Sequence, residues 1–165
     1  MRAYLLRLLA PIALFLSGCT QPHSADPSEL EAMIVRYTAK TPDAPLVLSQ
    51  QLLSEKDWLL VDVRPEKERA ISTLPNAISL DQFEARKASL SGQQIAAYCT
   101  VGLRSGQWVE SIRKEGFDAY NLRGGVLSWT HAAGPLVDPS GASTVRVHVY
   151  AQKWDLVAPG YEGVW

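Results

Sequence analysis

Apolar and polar positions along this chain follow two periods, and the alternation between them predicts a series of short helices and strands. Leu30, Ile34 and Tyr37 recur at helical spacing behind a Ser28 to Glu31 capping box, with Pro42 just beyond, which predicts a helix over 29–39. Leu46-Val47-Leu48 reads as a short strand, and Ser49 is placed to cap a brief helix carrying Leu52 and Leu53. Trp58-Leu59-Leu60-Val61-Asp62-Val63 is a nearly continuous apolar run, the pattern of a strand covered on both faces. Pro65 ends it and suits the first turn of a helix running through Arg69. A strand at 77–80, a polar helix over 81–90 and a buried strand at Ile95-Ala96-Ala97-Tyr98 follow. After a loop, Trp108, Val109 and Ile112 mark one face of a helix stopped at Gly116. A strand at 119–122 and a helix over 126–133 complete the series. Strands alternating with helices predict an α/β domain built on a mainly parallel sheet.

The pattern differs at both ends. Residues 1–18 carry Arg2 and Arg7, then an apolar stretch from Leu8 to Leu16, then Ser17 and Gly18 before Cys19. That is the layout of a secretory signal, and its apolar part is shorter than the roughly 20 residues a membrane-crossing helix needs. The alternative, a buried helix of the folded domain, lacks a cap and runs into a polar, Pro-containing stretch from Thr20 to Pro27, which reads as a tether. Leu16-Ser17-Gly18-Cys19 resembles the lipobox of bacterial lipoproteins. That resemblance implies cleavage before Cys19 and acyl chains on its sulfur and new amino terminus, enough together for stable anchoring. Thr20, where an Asp would signal inner-membrane retention, points to a periplasm-facing lipoprotein of a Gram-negative outer membrane. The expected organisation is a signal over 1–18, lipidated Cys19 and tether over 19–27, a domain over 28–137 and an extension over 138–165.

Composition narrows the function classes. The 165 residues are 47% hydrophobic, enough for a packed core. The net charge of −1 becomes −3 once Arg2 and Arg7 are removed, leaving 14 basic against 17 acidic residues. Such a chain has no basic stripe for nucleic acid. The chain has two cysteines, so lipidation of Cys19 leaves Cys99 without a partner. An unpaired thiol in an oxidising compartment is a candidate reactive group, and a small buried hydrophobe is the alternative.

The position of Cys99 favours chemistry. It follows the apolar strand 95–98 directly, and open α/β sheets carry their functional groups beyond the carboxyl ends of strands. The loop reads Cys99-Thr100-Val101-Gly102-Leu103-Arg104-Ser105 and then enters a helix. Gly102 permits a backbone that turns successive N–H groups inward as an anion-binding nest. The helix dipole and Arg104 add positive potential, which lowers a thiol pKa and favours the nucleophilic thiolate.

Cys99, Gly102 and Arg104, as Cys-x-x-Gly-x-Arg after a buried strand, resemble the active-site loop of single-domain rhodanese-like sulfurtransferases. Asp62-Val63-Arg64 resembles that family's Asp-Val-Arg segment, and 121–129 with Gly134-Pro135-Leu136 resembles its closing signature. The likeness covers about 45–137. One segment departs: the family commonly has Gly-His-Ile-Pro-Gly-Ala where this chain has Ser72-Thr73-Leu74-Pro75-Asn76-Ala77. The resemblance implies that Cys99 attacks the sulfane sulfur of a small anionic donor such as thiosulfate, releases sulfite and holds a persulfide among the amides of Thr100, Val101, Gly102, Leu103 and Arg104, with Ser105 closing the loop. A thiol or cyanide then accepts the sulfur. Arg104 would hold the anionic donor, or else pair with a neighbouring acid. No metal or organic cofactor is implied. Four residues separate Cys99 from Arg104, where related phosphatases of this fold have five, so sulfur is favoured over a phosphatase or arsenate reductase reaction.

The remaining candidates are weaker. Asp62 and Arg64 suit an ion pair more than a substrate role, and Gly124 with Gly125 suits a tight turn. His23, His131 and His148 lack ligand spacing. Val145 to Tyr150 alternates like a strand, and Trp154, Tyr161 and Trp165 follow. This extension either packs back on the domain or meets a protein partner. The competing functional class is a non-catalytic or redox and sulfur-delivery module of the cell envelope.

Overall fold

The computed structural model describes residues 27–165, so the signal segment, Cys19, His23 and nearly all of the tether lie outside the described residues. Five parallel strands form the central sheet: β1 (Leu46–Val47), β2 (Leu59–Asp62), β3 (Ile78–Ser79), β4 (Gln94–Tyr98) and β5 (Asp118–Leu122), in the spatial order β1-β5-β4-β2-β3. The α/β class and the parallel sheet expected from the alternation are the ones found. Strand β4 is central, pairing Ala97 with Val61 of β2 on one side and with Asn121 of β5 on the other.

The period-two pattern of β4 divides the core into two layers. Ala96 and Tyr98 face one layer with Leu30, Ile34, Leu122 and Leu127, while Ile95, Ala97 and Cys99 face the other with Phe83, Val109 and Ile112. The first layer is covered by α1 (Pro27–Thr38), α2 (Ser49–Ser54) and α6 (Gly125–His131). The second is covered by α4 (Leu80–Arg86) and α5 (Leu103–Lys114). A short helix α3 (Glu66–Arg69) follows β2.

Two expected helix caps are corrected. Helix α1 starts at Pro27, so Ser28 lies inside its first turn, with Pro27 supplying a preset φ. Helix α2 includes Ser49, because extended Leu48 (φ −93°, ψ 151°) takes the cap position and its carbonyl accepts from Gln51 and Leu52. The buried Ser49 hydroxyl therefore caps nothing. A capping box does exist at α4, where Ser79 accepts from Gln82 N–H at 3.2 Å and Gln82 Oε1 accepts from Ser79 N–H at 2.9 Å.

The segment after α6 forms β6 (Leu136–Val137) antiparallel to β7 (Ser143–Thr144), then β8 (Arg146–His148) parallel to β9 (Glu162–Val164). Val147, Val149, Leu156 and Val157 join the same buried layer as Leu30 and Tyr98. The departing segment at 72–77 is a turn tied to the sheet. Thr73 bridges Val137, and Asn76 takes the left-handed φ of 62° that a glycine would otherwise supply.

Candidate active site

The chain leaves β2 through α3 toward β3, and leaves β4 through α5 toward β5, on opposite sides of the β2–β4 pair. Diverging connections open a crevice at the carboxyl ends of these two strands. Cys99, the residue after β4, sits at its floor, 1% exposed.

Backbone contacts shape the loop around it. Gly102 caps α5 at φ +105°, a conformation suited to glycine, and its N–H donates to Cys99 Sγ at 3.2 Å. The first amides of α6 hold the loop from behind, Val126 N–H donating to the Cys99 carbonyl at 2.9 Å and Leu127 N–H to that of Thr100 at 3.2 Å. This approach explains the glycine before Val126. A Cβ on Gly125 would lie 2.2 Å from the Cys99 carbonyl oxygen. Gly124 and Gly125 thus form a tight turn that also clamps the loop.

Asn121 and Ser105 brace the other side. Asn121 Nδ2 donates to the Gly102 carbonyl at 2.9 Å, which turns Oδ1 toward the Ser105 hydroxyl at 2.7 Å. That hydroxyl also stands 3.5 Å from Sγ, so its single proton is shared between a neutral amide and a developing thiolate. Burial pushes the Cys99 thiol up, but the Ser105 hydroxyl and N–H, the Arg104 charge and the Gly102 N–H outweigh it and hold the thiol below its ordinary value. A stabilised thiolate over a donor-lined loop is equipped for nucleophilic attack.

Arg104 forms the ion pair that stood as the alternative to a free anion-holding guanidinium. Nη1 and Nη2 donate to Glu68 Oε1 and Oε2 at 2.7 and 2.8 Å, and Nη2 also donates to Thr100 Oγ1 at 3.1 Å. The Thr100 hydroxyl donates in turn to Glu68 Oε2 at 3.2 Å. Glu68 is buried, while the Arg104 side chain is 33% exposed and faces the crevice. Burial pushes the Glu68 carboxyl up, but the Arg104 hydrogen bonds and charge, the Arg64 charge and Thr100 hold it below the usual carboxylate range. Glu68 is a site residue that the sequence did not mark. Every residue of Glu66-Lys67-Glu68-Arg69 is charged, so no pattern tells which side chain turns inward.

Cys99, Thr100, Val101, Leu103 and Arg104 line a cleft of about 360 Å³ whose other walls are Tyr37 of α1 and Tyr150, Lys153 and Trp154 of the C-terminal segment. Val101 is packed into the core and Leu103 is half-buried. The rings run as a chain, Tyr150 to Trp154 at 5.0 Å between centroids and Trp154 to Tyr37 at 5.3 Å, and the Arg104 guanidinium lies 5.9 Å from the Tyr150 ring. Asp62 and Arg64 stand apart from this cleft as a buried pair, Nη2 to Oδ2 at 2.7 Å, with Tyr98 Oη donating to the same carboxylate at 2.7 Å. His131 and His148 lie outside it, and among the described residues no group of three or more His, Cys, Asp or Glu is arranged to hold a metal.

Comparison with known proteins agrees with this loop and sheet. The family profile described as rhodanese-like domain matches residues 47–132. The chain belongs to the rhodanese-like family. A sulfurtransferase from Allochromatium vinosum is 34% identical over 98 residues, covering 57% of this chain and 92% of that protein. A tRNA uridine(34) hydroxylase from Acaryochloris marina is 35% identical over 89 residues, but these cover only 29% of its length and 48% of this chain. Among solved structures, a rhodanese-related protein from Thermoplasma volcanium superposes with a TM-score of 0.51 at 24% identity, over 56% of this chain and 97% of that one. The rhodanese-like match ends before the C-terminal segment that walls the cleft, so Tyr150, Lys153 and Trp154 lie outside the matched residues.

Proposed function

We propose that this rhodanese-like protein moves a sulfane sulfur from a small anionic donor, thiosulfate being the simplest, through a persulfide on Cys99 to a thiol or cyanide acceptor. Cys99 is the nucleophile and Arg104 the cation that guides the donor; the loop from Thr100 to Ser105 holds the outer sulfur. The observation that carries this reading is the Gly102 N–H donated to Sγ at 3.2 Å inside a loop with four residues between Cys99 and Arg104. In the first half-reaction the thiolate attacks the outer sulfur of thiosulfate. The S–S bond of the donor breaks, sulfite leaves with its electron pair, and Cys99 keeps one extra sulfur. In the second, the acceptor thiolate or cyanide takes that sulfur and Cys99 returns as thiolate. Preorganised N–H donors favour both steps because the negative charge on sulfur persists throughout.

The test is to incubate the purified protein with thiosulfate, look for one added sulfur on Cys99 by mass spectrometry, and then follow thiocyanate on adding cyanide, with Cys99→Ser alongside. Sulfur on the wild-type protein only, discharged by cyanide, is the expected result. A wild type as inert as Cys99→Ser overturns the reading.

For placement in the cell we propose that Cys19 is the lipid-bearing amino terminus of the mature protein, which would face the periplasm from the outer membrane. The lipobox-like Leu16-Ser17-Gly18-Cys19 supports this. Mass analysis of the amino terminus from membrane-extracted protein decides it; a Cys19 without acyl chains rejects it.

A further inference from the structure

The cleft above Cys99 is larger and more aromatic than sulfur transfer between thiosulfate and cyanide requires. Its volume of about 360 Å³ falls in the range of roughly 300–1,000 Å³ typical of clefts that take organic ligands. Thiosulfate has five heavy atoms and cyanide two. Both are small beside a space of that size.

The outer wall is held in place against local preference. Tyr150 has φ +73°, in the left-handed region that residues other than glycine rarely occupy, and the residue is 57% exposed. Strained residues of this kind gather at ligand-binding sites when the surroundings fix them. Here the fixing contacts are Trp154 behind the ring, the Arg104 guanidinium below it, and the Tyr150 N–H donated to His148 Nδ1 at 3.0 Å. A half-exposed aromatic ring on a strained backbone gains little for the fold, but it offers a face to an apolar ligand group.

Arg104 is already shared with Glu68, whereas exposed Lys153 lines the same cleft and forms no ion pair among the described residues. A second cleft shares Tyr37, Lys153 and Trp154 with the first, so space continues outward past the lysine.

Resting on the persulfide reading above, we infer that the C-terminal segment is an acceptor subsite. Tyr150 and Trp154, facing Tyr37, receive the apolar body of an organic thiol, and Lys153 receives its carboxylate. The acceptor thiolate attacks the outer sulfur of the Cys99 persulfide. A new S–S bond forms, the bond between the outer sulfur and Sγ breaks, and Sγ takes the electron pair as thiolate beside the Gly102 N–H. The product is the acceptor's persulfide, and no oxidant or reductant is consumed.

The experiment separates the two half-reactions. Cys99 is first loaded with sulfur from thiosulfate, and its discharge is then timed with cyanide, 2-mercaptoethanol, 2-mercaptopropionate and 2-mercapto-3-phenylpropionate. The last two share a thiol and carboxylate and differ by one phenyl ring. Wild type is expected to prefer the phenyl acid over its parent. Tyr150→Gly keeps the left-handed backbone without strain, a relief that offsets the lost ring contacts and the greater freedom of glycine in the unfolded chain, so its melting temperature should stay near wild type, while the ratio of phenyl-acid to cyanide rates falls about fivefold. Lys153→Gln should lower the ratio of 2-mercaptopropionate to 2-mercaptoethanol rates about threefold. Equal discharge by the two acids in wild type, or ratios that neither variant moves, overturns the acceptor subsite alone. A wild type that never takes up sulfur overturns the persulfide reading and this inference with it.

Discussion

Two arginine–carboxylate pairs stand near the carboxyl ends of β2 and β4, and they differ in what surrounds them. Asp62 and Arg64 are sealed, with side chains 1% and 0% exposed, and their remaining contacts are the Tyr98 hydroxyl, the Arg64 N–H and the Ser72 carbonyl. Burial alone would lower the Arg64 pKa, yet Asp62, Tyr98 and Glu68 raise it, so Arg64 stays charged. Glu68 and Arg104 are as well aligned, but Arg104 is one-third open to the cleft beside Cys99. A sealed pair fixes where two strands end. An open pair fixes one partner while leaving the other able to meet a ligand. The same chemistry therefore serves the fold in one place and the site in the other, and position relative to the crevice decides which.

Removing one partner at a time should separate these roles. Arg64→Met leaves Asp62 buried without its cation and should cost about 3–5 kcal/mol of unfolding free energy, measured by denaturant titration. Arg104→Met leaves Glu68 with the Thr100 hydroxyl and opens it toward the cleft that Arg104 covers, where it can take a proton. Its cost should be smaller, about 1.5–3 kcal/mol. Activity should rank the other way: at concentrations where both variants are folded, Arg104→Met should slow sulfur loading of Cys99 about 100-fold or more, and Arg64→Met far less. If both variants lose stability and loading in parallel, the distinction between the pairs fails.

The open pair also carries a pH signature. Glu68 is held below the usual carboxylate range, so the native state binds its proton less readily than the unfolded chain does. Its stabilising contribution is then present above the ordinary glutamate value of about 4.3 and is lost as pH falls through the lower native value. The stability difference between wild type and Glu68→Gln should accordingly be largest near neutrality and shrink on acidification below about pH 4. A difference that grows on acidification would contradict an ionised Glu68.

Ser105 tests the thiolate rather than the pair. Its hydroxyl and N–H are among the groups that hold Cys99 down against burial. Removing the hydroxyl by Ser105→Ala should raise the thiol pKa, so the rising limb of alkylation rate against pH should move to higher pH while the rate at its plateau changes little. An unmoved limb would mean that the hydroxyl proton stays with Asn121 and that the backbone donors and Arg104 suffice.

The contrast also explains what the sequence disclosed. Buried apolar runs such as 95–98 and the glycines at 102, 124 and 125 are local signals, so the parallel sheet, the position of Cys99 at a strand end and the tight turn were legible. Cys99, Gly102 and Arg104 were legible as a spacing. Glu68 was not, because its role depends on α3 crossing to face α5, a relation between segments 36 residues apart. Tyr37 was read as part of a helix face, Tyr150 and Trp154 as packing or partner-contact residues, and Lys153 was passed over, for the same reason: a cleft shared by α1 and the C-terminal segment exists only after the chain has folded over the loop. The caps at Ser28 and Ser49 were misplaced because polar residues within a helix's first turn look the same in sequence as those just before it.

The smallest effect is expected where the chain departs most visibly from the family pattern. The turn at 72–77 contributes to the sealed pair, through the Ser72 carbonyl that accepts from Arg64 Nη2 at 2.7 Å and the Leu74 N–H donated to Tyr98 Oη at 3.0 Å. Both are backbone groups, so the family's histidine is not needed to make them. One backbone requirement remains, the left-handed conformation at Asn76, and asparagine tolerates it better than most residues. Asn76→Gly should therefore shift the unfolding free energy by no more than about 0.5 kcal/mol, since relief of local strain offsets the greater freedom of glycine in the unfolded chain. Asn76→Ala, which tolerates the left-handed region less well, should cost about 1 kcal/mol. If both substitutions are silent, the turn is not under conformational constraint. If both are as damaging as Arg64→Met, the asparagine side chain supports the sealed pair in a way its backbone angle does not explain.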